Sequence, residues 1–561
     1  MTDVTDDTAT DDRKETAAQR VERIKREKAP WSIMDDIRRY AREGFASIPV
    51  EDLGVRFRAW GLYTQGDGRG TRGEEQPFFM MRVRTPNGLL TSAMVRTIAD
   101  LADRYARGAI DITNRQNFQL HWLRIEDIPT VWDALSSVGW TSQGACGDNT
   151  RTVTGCPLAG VDHEELIDAS PIALAVDRFL NGNADYANLP RKFKITITGC
   201  AHWCTYPEIN DVGATAVRRA DGVVGFHVRV GGGLSTRPHL AVKLPAFVLA
   251  EQLPEVVNAI VGIFRDSDEL RQNRAKARMK FLFINHGWTA DSFLAEIERR
   301  VGYSLAPAVE EHPPEGRYRD HLGVQPQKQP GLHYAAFSVL SGRIDPERLR
   351  AVARLADTYG DGSLRLTATQ NVVVPNIPAE RLTAFEAEAA VVGALRSSPF
   401  QRGTVSCTGS EFCKLAIVET KQFSIRLAEA LEARLPGFSE SIKLHVTGCP
   451  NACGQHWIAD VGLQGVLLNQ GGEQVEGFDV FVGGGLGAHS ATAHRVGFRA
   501  SADALPDALE RLFSVYDAER DGDESFREWT SRVGDAAVKA ALAGVPAAPS
   551  LPNAKAVAVP A

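Results

Sequence analysis

Four cysteines in the second half of the chain stand in two close pairs, Cys407-x5-Cys413 and Cys449-x3-Cys453, within TVSCTGSEFCKLAIVETK and VTGCPNACGQHWIADVG. Four thiolates in two pairs are what a cubane iron–sulfur cluster needs. A structural zinc site also accepts four thiolates, but its pairs are usually two to four residues apart, and the x5 spacing lies outside that habit. The 35 residues between Cys413 and Cys449 leave room for a helix and a strand. From Lys414 the run KLAIVETKQFSIRLAEALEARL has a helical pattern, and residues 442–447, IKLHVT, predict a short buried strand ending at the second pair. The i,i+4 spacing of Cys449 and Cys453 would let both sulfurs share one helix face.

A second set of residues is basic, in a chain whose net charge is −7. FFMMRVRTP places Arg82 and Arg84 two residues apart on one strand face, and LPRKFKITIT does the same for Lys192 and Lys194. GDNTRTVTG contributes Arg151, ITNRQNFQ contributes Arg115 with Gln116, Asn117 and Gln119, and NRAKARMKF contributes Arg274, Lys276, Arg278 and Lys280. A solvated face is the ordinary explanation for any single one of these. Here they interrupt apolar strands that would otherwise be core. The GGGL runs at 231–234 and 483–486 lack the G-x-G-x-x-G spacing of a dinucleotide loop and predict tight strand-to-helix turns.

The elements that must position these residues come twice. ITNRQNFQLHWLRI (112–125) parallels LTATQNVVVPNIPA (366–379), ITITGCAHWCTYPEINDVGATAV (195–217) parallels LHVTGCPNACGQHWIADVGLQGV (444–466), and FHVRVGGGLST (226–236) parallels FDVFVGGGLGA (478–488). Three matches in one order imply a duplication of about 250 residues, far longer than a solenoid repeat. Strands alternate with helices throughout, so the expected class is α+β with mixed sheets. The first half repeats part of the cysteine pattern. Cys156 parallels Cys407, and Cys200 and Cys204 parallel Cys449 and Cys453, but Asp162 stands where Cys413 would be. A second metal centre there and a relic of duplication are both readings of this set, and the relic is the expectation.

The cysteine pattern, its TGCPNxC context and the basic clusters together resemble the siroheme- and [4Fe-4S]-containing assimilatory sulfite and nitrite reductases. The resemblance runs from about Asp52 to about Val533. It implies two ferredoxin-like half-domains and two larger α/β siroheme-binding domains around a pseudo-two-fold axis, with siroheme where they meet. It implies that Cys407, Cys413, Cys449 and Cys453 hold one [4Fe-4S] cluster, Cys453 bridging it to the siroheme iron. Arg82, Arg151, Lys192 and Lys194 match the residues that bind the substrate anion, and Arg115, Asn117, Gln119, Arg274, Lys276, Arg278 and Lys280 match the segments that hold siroheme, which has eight carboxylates. Guanidinium groups suit bidentate carboxylate pairing, and lysine suits a movable charge that can release a proton. The GGGL glycines would let backbone approach the tetrapyrrole. Nitrite reductases of the family typically have asparagine at the position of Lys194, so its lysine points to sulfite, the more highly charged anion. Tyr63 and Cys146 match a pair that is cross-linked beside the haem in some members.

The implied activity is the six-electron reduction of sulfite to sulfide, with nitrite reduction to ammonia as the alternative. No flavin or NAD motif is evident, so ferredoxin is the expected donor, with a flavoprotein subunit as runner-up. A non-catalytic iron–sulfur electron carrier would need the cluster but not the basic quartet. The acidic balance argues against a nucleic-acid partner. No run of 18 apolar residues suggests a membrane span, and MTDVTDDTATDDRKETAAQR has no apolar segment of a secretory signal, so a reducing cytoplasm is expected. The expected divisions are a charged, partly disordered extension over 1–50, with a helix over about 17–43; ferredoxin-like units over 51–127 and 313–396; α/β domains over 128–312 and 397–543; and a disordered tail over 544–561.

Overall fold

In a computed structural model of the protein, residues 15–65, 77–315, 319–392 and 398–545 are described. Residues 1–14 of the extension and 546–561 of the tail expected to be disordered therefore lie outside the described residues. The class is α+β, and the described residues form four sheets in a duplicated arrangement.

Two five-stranded antiparallel sheets form the centre. The first runs in the order Leu62–Thr64, Phe79–Val83, Phe118–Leu123, Ile110–Ile112, Arg343–Ile344. The second runs Gly323–Pro326, Leu332–Phe337, Val372–Pro378, Ser363–Leu366, Leu89–Thr91. Each takes its last strand from the other half of the chain: Arg343 registers with Asp111, and Leu90 with Leu364. One hydrophobic core runs under both, from Ile37, Phe57 and Val95 to Phe337, Leu355 and Phe385.

The repeated TxxQN segments lock these sheets to the rest. Gln116 has a left-handed backbone (φ 55°), and its amide donates to Gly155 O and Leu366 O, both at 2.9 Å. Gln370 repeats this at φ 67°, donating to Ile112 O at 2.8 Å and Ser406 O at 3.2 Å. Asn117 Oδ1 accepts from Thr85 N, and Asn371 Oδ1 accepts from Val339 N, both at 2.8 Å. The two buried glutamine amides each reach a carbonyl of the other half, so they fix the register between the halves.

The other two sheets are mixed. One runs Ala306–Pro307, Val242–Leu249, Val224–Val230, Val212–Arg218, Ile195–Thr198, Thr154–Gly155; the other runs Val405–Ser406, Leu444–Thr447, Val461–Gln470, Glu473–Val482, His494–Ser501. In each, the two pairings nearest the Thr154 or Val405 edge are parallel and the rest antiparallel. The parallel strands are buried on both faces, which explains the apolar run that predicted the strand within residues 442–447.

Three local expectations are corrected. The helix expected over 17–43 is two, Ala17–Glu27 and Met34–Glu43, because Pro30 cannot continue the first. Both are docked: Lys25 is buried, pairs with Glu22 at 2.5 Å and donates to Leu189 O at 3.0 Å, while Ile37 and Tyr40 enter the central core. The helical pattern after Cys413 becomes a helix only at Lys421–Arg434. Residues 449–453 are turns rather than a helix, with Ala452 left-handed at φ 56°.

Candidate active site

The two cysteine pairs sit at the ends of neighbouring parallel strands, Val405–Ser406 and Leu444–Thr447. Cys407 Sγ accepts from Gly448 N at 3.2 Å, so one pair's backbone already serves the other pair's sulfur. Gly409 turns the x5 loop with φ +71°, and a Cβ there would lie 2.6 Å from Thr420 Oγ1. All four thiols lie within one another's electrostatic reach. Burial, and then the charge of Cys453, push Cys413 up to about 12; burial above all pushes Cys449 up to about 11 and Cys407 upward. Thiolates crowded in this way need a cationic centre to stay deprotonated. The first-half sheet buttresses the loop: Phe412 stacks on His121 at 3.8 Å, and buried Asp111 holds that ring at 3.0 Å.

Cys453 is the exposed member, and it faces the basic residues. Asn114 donates to its carbonyl at 2.7 Å, and Arg82, Lys192 and Lys194 are all within its electrostatic reach. Arg151 and Arg278 act on Arg115 and on Lys192, and Arg115 acts on Lys194. Six cations thus share one region. The carboxylate among them is Asp211, which pairs with Arg278 at 2.8 Å and accepts from Lys194 N at 2.8 Å. Burial and crowding lower the proton affinity of Arg115, Lys192 and Lys194. Burial, with Arg151, Arg278 and Arg82, brings Arg115 down to about 9. Burial, with Arg278, Arg151 and Arg191, brings Lys192 down to about 8 against the pull of Cys453. Lys194 falls well below the ordinary lysine range, by burial first and then by Arg115, Lys192 and Arg278. Beside this region a cavity of about 210 Å³ opens among Tyr63, Arg151, Arg191 and Arg274.

Residues 146–305 and 397–545 match the family profile described as the nitrite and sulphite reductase 4Fe-4S domain. Residues 72–138 and 325–392 match the nitrite/sulfite reductase ferredoxin-like half domain. The chain belongs to the nitrite and sulfite reductase family. It is therefore an oxidoreductase, and its repeated domain is the family's iron–sulfur unit. The reductase is 38% identical over 542 residues to the assimilatory ferredoxin-dependent nitrite reductase of Haloferax mediterranei, covering 90% of each chain. It is 37% identical over 537 residues to sulfite reductase [ferredoxin] 2 of Mycolicibacterium paratuberculosis, covering 92% of this chain and 95% of that one. The solved structure of the Mycobacterium tuberculosis NirA protein superposes with a TM-score of 0.88 at 36% identity, over 91% of this chain and 96% of that one.

The remaining sequence-predicted residues of the reductase divide by their contacts. Arg115 donates to Asn210, Thr152 O and Ile195 O, leaving a buried Nε without a partner. Arg151 holds Gly147 O and Ala145 O. Arg274 pairs with Asp148 at 2.6 Å, Lys276 is exposed, and Lys280 pins the GGGL turn through Leu234 O at 2.7 Å and Gly233 O at 3.3 Å. Asn117 serves the register described above, and Gln119 rests on Met80 Sδ at 3.1 Å. Arg84, paired on the strand with Arg82, turns away from the site into a buried pair with Asp177 at 2.6 Å. Cys146 receives a hydrogen bond from Arg82 Nη1 at 3.0 Å, and Tyr63 is also within reach of Arg82. Asn114 and Asp211 were missed by sequence reasoning. Asn114 had a signal: the second half has Ala368 at its place, so the repeat itself marks the position as divergent.

Proposed function

We propose that this reductase converts sulfite to sulfide, using siroheme seated between the basic region and Cys453 and electrons from a ferredoxin in the cytoplasm. Cys407, Cys413, Cys449 and Cys453 are the cluster ligands in this reading. The observation that carries it is the gathering of Arg82, Arg115, Arg151, Lys192, Lys194 and Arg278 about Asp211, next to the exposed cysteine Cys453. An electron carrier gains nothing from such a cavity. A bound polycarboxylate and an oxyanion would relieve it.

The residues present fit siroheme. Besides Arg115 Nε, the buried Asn149 Oδ1, Thr150 Oγ1 and Thr152 Oγ1 have no hydrogen-bond partner, all on the segment that carries Arg151. Arg115, Arg274, Lys276, Arg278 and Lys280 are the cations proposed to hold its carboxylates. When bound, siroheme and the cluster supply the redox centre that passes electrons to the anion. The chain's own contribution is charge and protons. Reduction of hydrogensulfite to hydrosulfide takes up six electrons and six protons and releases three waters, so proton delivery matters as much as electron delivery. Arg82 and Arg151 hold oxyanion oxygens by directed N–H groups. Lys192, brought down to about 8, remains mostly protonated at neutral pH yet releases a proton far more readily than an ordinary lysine. It and Lys194 are the proposed acids.

Lys194 supports sulfite, because an added cation favours the more highly charged anion. Nitrite is the second reading, supported by the 38% identity to the Haloferax nitrite reductase. The test is an absorption spectrum followed by steady-state rates with each anion and reduced ferredoxin. Siroheme bands and a larger kcat/KM for sulfite are expected. A protein with a full cluster signal and no siroheme would overturn the reading, and a larger kcat/KM for nitrite would replace its substrate.

A further inference from the structure

The first-half thiols are not spaced like the cluster cysteines. Cys156, Cys200 and Cys204 bring their sulfurs within 4.8 Å of one another, with Cys156 and Cys204 at 4.0 Å. Among the described residues they are the one such group of potential metal ligands, and the four cluster cysteines form none as tight. Geometry decides what each set can hold. Thiolates at about 2.3 Å from one tetrahedral ion stand roughly 3.8 Å apart. The first-half trio has the spacing of a single ion.

The surroundings are those of a closed site. Cys156 and Cys200 are buried and Cys204 half-buried, packed by Leu158, Val161, Leu322, Tyr334 and Val373. Thr198 Oγ1 lies 3.4 Å from Cys200 Sγ, and the His202 N–H is also directed at that sulfur, the kind of outer support that steadies a thiolate ligand. An unpartnered imidazole lies in the same region. His321 is 5% exposed, and neither ring nitrogen has a hydrogen-bond partner. Its neighbour Leu322 packs on the thiols, and its ring is within electrostatic reach of Cys200 and Asp162. Asp162, the residue in register with Cys413, is engaged by Arg319 at 3.3 Å and by Glu164 N at 3.1 Å. A buried histidine with two idle nitrogens is costly unless something occupies one of them.

We infer that Cys156, Cys200 and Cys204 bind one zinc ion, distinct from the iron–sulfur cluster, with His321 closing the tetrahedron by a side-chain rotation. Zinc suits three soft thiolates and an imidazole in a closed, redox-silent site. The thiols lose their protons as the ion binds, and through His321 the ion ties the first α/β sheet to the segment that enters the strand Gly323–Pro326 of the second central sheet. The site would be structural, and it does not depend on which oxyanion is reduced.

The test is elemental analysis of the as-purified holoenzyme, before and after incubation with zinc(II), together with X-ray absorption at the zinc edge, where iron does not interfere. The expected result is one zinc per chain with sulfur neighbours at about 2.3 Å. Cys204→Ser, the least buried ligand change, should lose most of that zinc and lower the thermal midpoint, while the iron content and the cluster's spectrum persist. His321→Ala should weaken zinc retention against a chelator by roughly 10-fold or more. If Cys204→Ser does not fold, His321→Ala and the wild-type absorption data still decide. A holoenzyme with complete iron that neither contains nor takes up zinc overturns the inference. So does zinc with oxygen or nitrogen neighbours only, an extra iron at the trio in place of zinc, or zinc retained unchanged in both variants.

Discussion

Lys192→Met should make the siroheme-free chain more stable and the loaded enzyme nearly inactive. The native lysine is held at about 8 against an ordinary 10.5 by burial and by Arg278, Arg151 and Arg191. That drop corresponds to roughly 3 kcal/mol of unfavourable charging, and water reaching the half-buried ammonium reduces it toward about 1 kcal/mol. The sign follows from proton linkage. Between about 8 and 10.5 the unfolded chain holds a proton that the folded chain has released, so wild-type stability rises with pH across this window. The charging cost is fully present below about 8 and gone above 10.5, so the variant's advantage should be largest at pH 7 and fade over that window. Anion binding runs the other way. The charged lysine attracts the anion, so affinity of the loaded wild type should be flat while Lys192 keeps its proton and fall toward tenfold per pH unit once it is lost, a break the variant lacks. Nitrite is the better ligand for this titration, because its charge stays constant over the window. Denaturation of the siroheme-free forms and optical titration of the loaded forms give the two readouts. A variant of the siroheme-free chain less stable than wild type at pH 7, or a loaded variant that keeps the wild-type break, would refute the account of Lys192 as a crowded, functional cation.

Cys453→Ser should abolish the magnetic coupling between cluster and siroheme and most turnover; normal activity with full cofactor content would remove the bridging assignment. Lys194→Asn should lower the sulfite-to-nitrite ratio of kcat/KM by roughly tenfold, well inside the ~4 kcal/mol that one unit charge provides at 4 Å and an effective dielectric of 20. An unchanged ratio would place selectivity elsewhere. Arg84→Ala should cost about 3–5 kcal/mol by stranding Asp177, while kcat per siroheme-loaded molecule changes little. Thermal inactivation half-lives check the first part, and a large loss of kcat in loaded enzyme would give Arg84 a role in the anion site.

The fold class and the duplication were legible because each repeated segment encodes the same backbone. Ala452 and Gln455 are left-handed, and so are their counterparts Trp203 and Tyr206. What the sequence hid was orientation. Arg82 and Arg84 are indistinguishable by alternation, since both project from one face, yet a single buried carboxylate on the helix Ser170–Leu180 draws Arg84 away. The cysteines misled in a similar way, because i,i+4 spacing suggests a helix but the glycine and proline around Cys449 favour consecutive turns. Within TxxQN, the letters shared by the two halves proved architectural, and Asn114 and Arg115, which differ from Ala368 and Thr369, face the site. The spacing of sulfurs in space, which separates the first-half trio from the cluster set, has no counterpart in their nearly identical spacing along the chain.

The exchanged strands Leu89–Thr91 and Arg343–Ile344 have a consequence for how such a molecule is assembled. Cut between its halves, the chain would leave each central sheet with a raw edge and each glutamine clamp without its far acceptor, so neither piece is a self-sufficient folding unit. Two identical copies, however, would complete each other across a dyad, as swapped dimers do. On such an axis every group must appear twice. Joining the copies into one polypeptide lifts that constraint, so one side can keep four spread cysteines while its counterpart contracts to a tight trio of thiols.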